Sequence, residues 1–239
     1  MRPATTFRLI LGNNLVANIT NFTVWFALTF WVFLETRSVF ATGMVAGIYL
    51  ALTAGLGIWF GSLVDHHGKR AVMMGSSAAS FILYAVSLAY YVSGPEQRFA
   101  DVSGISLWLF IALVMIGVIA GNVRTIALPT IVTALVPEPD RDKANGLVGM
   151  VTGVGFLTTS AISGFLLAWG GMRATLIAAM ALSLLVCAHL LFVRFAEPRP
   201  EHHDAPKRVD LAGTIRVVAG VPGLFALIFF GALNNFLGG

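Results

Sequence analysis

Asn14, Asn18, Asn21 and Trp25 follow one another at steps of four, three and four residues, with Asn13 beside the first. On a helix of 3.6 residues per turn, that spacing puts three amides and an indole on one face. Amides donate and accept at once, so such a face can hold a solute's polar groups or clasp a neighbouring helix. Unpaired in hydrocarbon they are costly, so the face must look into protein or along a water-filled path. Lining of a central cavity is the reading favoured here. Thr152, Phe156, Thr159 and Ser163 repeat the pattern more weakly, because hydroxyls also bond back to their own helix carbonyls. Arg124 is the one charged residue inside an apolar run. It would either face the cavity and pair with an anion or a distant carboxylate, or snorkel to the headgroups beyond Pro129. His189 is the lone histidine in such a run, and a packed imidazole is the simpler role for it than a proton carrier.

The elements that carry these residues are dictated by hydropathy. Of 239 residues, 57% are hydrophobic and only 11% charged, with a mean hydropathy of +0.85. A soluble domain carries about 25% charge. Uncharged runs of at least 20 residues occur at 9–34, 38–64, 71–95, 102–123, 144–172, 174–193 and 217–239. About 20 apolar residues span the ~30 Å hydrocarbon core. A soluble enzyme, a disordered chain and a peripheral protein are excluded, and the fold class is an all-α polytopic membrane protein. The first run is too long for the apolar core of a cleavable signal.

With the N-terminus in the cytoplasm, eleven basic residues fall on inner segments and three, Arg37, Arg98 and Arg173, on outer ones. That asymmetry places the N-terminus in the cytoplasm, and the expected location is the plasma (inner) membrane. It also accounts for the +4 net charge without a nucleic-acid partner. Five short connections make the first six spans antiparallel neighbours, forming a six-helix bundle over residues 1–194. A polar cytoplasmic linker follows at 195–216, then a seventh span at 217–239, which reads as the start of a truncated second bundle. The chain is therefore expected to be part of a longer transporter, with a six-helix C-terminal half absent from it. Cys187 is the only cysteine, so no intrachain disulfide forms.

The connection between the second and third spans reads Gly61-Ser62-Leu63-Val64-Asp65-His66-His67-Gly68-Lys69-Arg70. It resembles the signature G-x-L-x-D-x-x-G-[KR]-[KR] of the major facilitator superfamily at its expected place. Arg124-Thr125-Ile126-Ala127-Leu128-Pro129, Leu135-Val136-Pro137, Ala144-Asn145 and Glu35-Thr36-Arg37-Ser38 resemble the enterobactin-exporter and drug-exporter branch. The resemblance covers nearly the whole chain, as the first half of a twelve-helix transporter plus its seventh helix. It implies that Asp65, Lys69 and Arg70, with Gly61 and Gly68, clamp the two halves on the cytoplasmic side in the outward-open state. The chain departs from that pattern at His66, where a basic residue is usual, and in Thr159–Gly164, which lacks the Gly-Pro of many antiporters.

Gly43, Gly47, Ala51 and Gly55 stand four residues apart in the second span, followed by Gly57 and Gly61, and Gly117/Gly121 and Gly149/Gly153 repeat the interval. Such stripes let backbones approach closely, either as fixed packing or as surfaces that slide. All eleven acidic residues lie in loops or at interfaces. If protons are the coupling ion, the titrating group is therefore Asp65, His189, the substrate, or a group elsewhere. No phosphate-binding loop, metal cluster or nucleophile constellation appears, so neither an enzyme nor a cofactor is expected. The expected function is secondary active transport of a small amphipathic or lipophilic compound, in the direction of efflux, by alternating access. The competing reading is a non-transporting half-transporter that acts as an assembly or regulatory subunit.

Overall fold

The computed structural model describes residues 3–193 and 211–238. Residues 194–210, which hold most of the expected linker, lie outside the described residues. The described chain forms two units, and each is taken by itself.

The first unit consists of α1 (Pro3–Thr36), α2 (Val39–His66), α3 (Lys69–Val92), α4 (Ile105–Leu135) and α5 (Arg141–Phe192). All five are long and apolar enough to cross a membrane. The joints are short because each has a local stop signal. Arg37 sits in the left-handed region (φ 54°) and donates its N–H to the Phe33 carbonyl at 2.8 Å. Ser38 then caps α2, its hydroxyl accepting from Ala41 N at 3.1 Å. Only His67 and Gly68 separate α2 from α3. Between α3 and α4, Phe99 plugs the end of the bundle, fully buried against Tyr91, Phe110 and Trp31 at ring distances of 5.3–5.5 Å.

The expected connection at 170–173 is a break inside α5. Gly170 and Gly171 leave helical geometry, and Gly171 adopts φ 62°, which favours glycine. The two arms, 141–169 and 172–192, are each about as long as a bilayer crossing requires. The core forms where α1 packs along α5 and where α3 packs on α4 and α5; α2 rests on α4 and α1 and barely meets α3. Large apolar side chains such as Leu157, Phe165, Trp169 and Phe192 point outward. In water they would drive aggregation, but against acyl chains they cost nothing.

The second unit contains α6 (Leu211–Gly220) and α7 (Leu224–Gly238). Hydropathy reads one span over 217–239; the structure instead divides that run at Val221–Gly223. Pro222 cannot donate to a helical ladder, and Gly223 takes φ 82°. The 15 residues of α7 make a helix about 22 Å long, short of a full hydrocarbon core.

Candidate functional site

Arg124 lies at the centre of the first unit, 2% exposed. Its guanidinium is enclosed by protein and, among the described residues, is bonded to neutral acceptors. Nη1 donates to Met73 O at 3.2 Å and to Ser77 Oγ at 2.5 Å, both on α3, and Nη2 donates to Asn13 Oδ1 on α1. Lys143 and Asp140 form an ion pair, but on the surface and away from Arg124. A guanidinium caged by neutral acceptors keeps its full charge in a low dielectric, where desolvation is offset only by those hydrogen bonds. Its Nε has no partner.

Asn13 continues the chain, with Nδ2 donating to Val186 O at 3.0 Å and lying 3.1 Å from His189 Nδ1, both on α5. A second branch runs through Asn21. Its Nδ2 donates to Val118 O at 3.0 Å and to Asn122 Oδ1 at 2.8 Å, and its Oδ1 accepts from Tyr84 OH at 3.2 Å. Asn122 in turn donates to Tyr49 OH at 2.9 Å, and Tyr49 stacks on Trp25 at 3.9 Å. The two branches tie together all five long helices.

Glycine makes this approach feasible. A Cβ at Gly121 would lie 2.5 Å from Asn21 Oδ1, and one at Gly117 would lie 2.7 Å from the Tyr84 ring. Beside Arg124 a cavity of about 20 Å³, room for a single water, is bordered by Thr20, Ser77, Ser80 and Ser183. Ser80, Ser77 and Thr20 already donate to Gly117 O, Met73 O and Val16 O. The centre of this unit is therefore a polar lock rather than a drug-sized chamber, which takes about 300–1,000 Å³. Two wider pockets open elsewhere. One of about 310 Å³ lies among α2, α3 and α4, and one of about 290 Å³ lies between α1 and α5.

The other residues singled out by sequence fall as follows. Asn14 and Asn18 are buried, at 1% and 6% exposure, and Asn14 Oδ1 and Asn18 Nδ2 have no partner. Thr152, Thr159 and Ser163 donate to Val148 O, Phe156 O and Ser160 O of their own helix. Asp65 is exposed. Lys69 reaches Val64 O, and Arg70 donates to Leu190 O at 3.1 and 2.9 Å and to Leu191 O at 3.0 Å. Both cations thus cap helix C-termini, those of α2 and α5, where positive charge is favoured. Nothing lies within 4 Å of a Cβ built at Gly61. Gly68 precedes α3 as its N-cap, with φ −58°. Sequence reasoning missed Tyr49, Tyr84, Asn122 and the role of Asn13. Only Asn13's position beside the amide stripe hinted at it.

Residues 10–238 match the Major Facilitator Superfamily. Macrolide efflux protein A of Streptococcus pyogenes is 23% identical over 237 residues, which cover 97% of this chain and 55% of that protein. The macrolide efflux protein A of S. pyogenes serotype M6 matches to the same extent. The chain thus spans about half the length of the curated relatives it matches.

Proposed function

This chain belongs to the Major Facilitator Superfamily, and from that premise we propose that it is the first half, plus the seventh helix, of a secondary transporter that exports a small amphipathic or lipophilic compound. Transport, rather than an enzymatic reaction, is the chemistry of that family, and the macrolide efflux relatives support the outward direction and the exporter branch. The two arms of α5 count as the fifth and sixth spans, with the N-terminus in the cytoplasm of a plasma membrane. Protons are the coupling ion in this reading.

The observation that carries the proposal is the contrast between a locked interior and an open face. Gly43, Gly47 and Gly55 of α2, and Gly146, Gly149 and Gly153 of α5, are exposed, with nothing within 4 Å of a built Cβ. Small residues that leave so much backbone uncovered suit a surface on which a second bundle rocks between inward-open and outward-open states. The first unit then moves as a rigid body. The solute path lies between the halves, with the buried amides of Asn14 and Asn18 just behind its α1 wall and Asp65, Lys69 and Arg70 forming the cytoplasmic clamp.

Accumulation of a macrolide and of a lipophilic dye, measured in cells expressing the full reading frame, tests this. Export should fall with Asn18→Leu and with Asp65→Asn at matched membrane levels. Unchanged export in both removes those residue assignments. If the protein moves no compound and only binds a membrane partner, the non-transporting alternative replaces the transporter reading.

A further inference from the structure

His189 belongs to no part of the proposed solute path, yet its environment fixes its protonation chemistry. Asn13 can hold only one orientation. Its Oδ1 faces Arg124 Nη2, which can only donate, and its Nδ2 faces Val186 O at 3.0 Å, which can only accept. Turning the amide over would set donor against donor and acceptor against acceptor. Nδ2 therefore also presents a hydrogen to His189 Nδ1 at 3.1 Å, and that ring nitrogen must be the acceptor. The contact exists only with a neutral imidazole whose proton sits on Nε2.

From this we infer that His189 Nδ1 is a proton-binding position and that Asn13 relays its occupancy to Arg124. When a proton adds to the Nδ1 lone pair, the new N–H meets the Asn13 N–H and the contact must open. Asn13 cannot flip to compensate, so it withdraws from the ring or from Arg124. The disturbance crosses from α5 to α1, then to α4, and through Met73 and Ser77 to α3.

Protons have a route in, because half-buried His189 lines the pocket of about 290 Å³ between α1 and α5. Among the described residues, the charged and titratable groups around it are Arg8 of α1 in the same pocket, Arg70 of α3 on the Leu190 and Leu191 carbonyls, Arg124 of α4 behind Asn13, and Cys187 of α5 two residues away. Among the described residues, no carboxylate lines the pocket. A protonated His189 thus adds a positive charge among arginines, and Asn13, bonded to both His189 and Arg124, is the group through which the change reaches Arg124.

The inference does not depend on the efflux reading, and its test does not use transport. In the full chain reconstituted in lipid nanodiscs, with ¹⁵N-labelled His and Arg, the four other histidines (His66, His67, His202 and His203) are replaced by Gln. The remaining histidine signal is then that of His189. The expected spectrum shows an unprotonated Nδ1 and a protonated Nε2 in the neutral form. On acidification, the Arg124 side-chain signals, assigned by loss in Arg124→Lys, should move with the same midpoint as His189. In Asn13→Ala, His189 should still titrate while Arg124 no longer follows. A neutral His189 carrying its proton on Nδ1 overturns the site, and needs no variant of the network to be seen. An Arg124 signal indifferent to His189, or one that still follows in Asn13→Ala, overturns the relay.

Discussion

Two glycine stripes share one spacing and do opposite things. In α4, Gly117 and Gly121 are closed off by Tyr84 and Asn21, which are hydrogen-bonded to each other in the polar network. In α2, Gly43, Gly47 and Gly55 face open space. The first stripe brings helices together permanently, whereas the second leaves a helix smooth and unpartnered within this unit. A periodicity of four specifies a surface that can be approached closely. Only the partner decides whether that surface is a joint or a bearing.

Substitutions at the two stripes should separate these roles, and unfolding in detergent reads them. Gly121→Ala forces a methyl into Asn21 and is expected to destabilise the chain by about 1–3 kcal/mol. Arg124→Met strips the donor from Asn13 Oδ1 and leaves a buried acceptor unpaired; a loss of about 1–3 kcal/mol is expected. A result near zero would mean that the network adds little to the locked side. Gly47→Ala has the opposite sign. With nothing to strike and a better helix former in place, a gain of about 0.5–1 kcal/mol is expected. If it destabilised as Gly121→Ala does, the two stripes would be one kind of surface and the contrast would collapse. Smallest is Arg70→Gln, which removes a cationic cap from the end of α5 at a cost of about 0.3–1 kcal/mol, and less in high salt.

The sequence made the long helices and the Gly170–Gly171 break readable because uncharged runs and a glycine pair are local signals. It also marked the amide face of α1 as one that avoids lipid. It did not show which helices meet that face. Asn21 finds Asn122, 101 residues away, and Asn13 finds His189, 176 residues away, and no spacing rule encodes such pairings. The hydroxyls of Thr152, Thr159 and Ser163 were ambiguous for a physical reason, since bonding back to the helix satisfies them without any neighbour. The interruption at Pro222–Gly223 was visible as letters, but a hydropathy run averages across it. Arg124 balanced between cavity and headgroup in the sequence because its cage is assembled from backbone and neutral side chains on α1 and α3.

The proposed division between a locked core and a moving face is tested most directly by bulk placed on the open stripes. Macrolide accumulation would be compared in cells expressing the full reading frame as wild type, Gly47→Leu and Gly153→Leu, with equal amounts of folded protein in the membrane. The account predicts that both variants fold and lose export, because leucine on a bearing surface blocks its motion. Full export by both would contradict it.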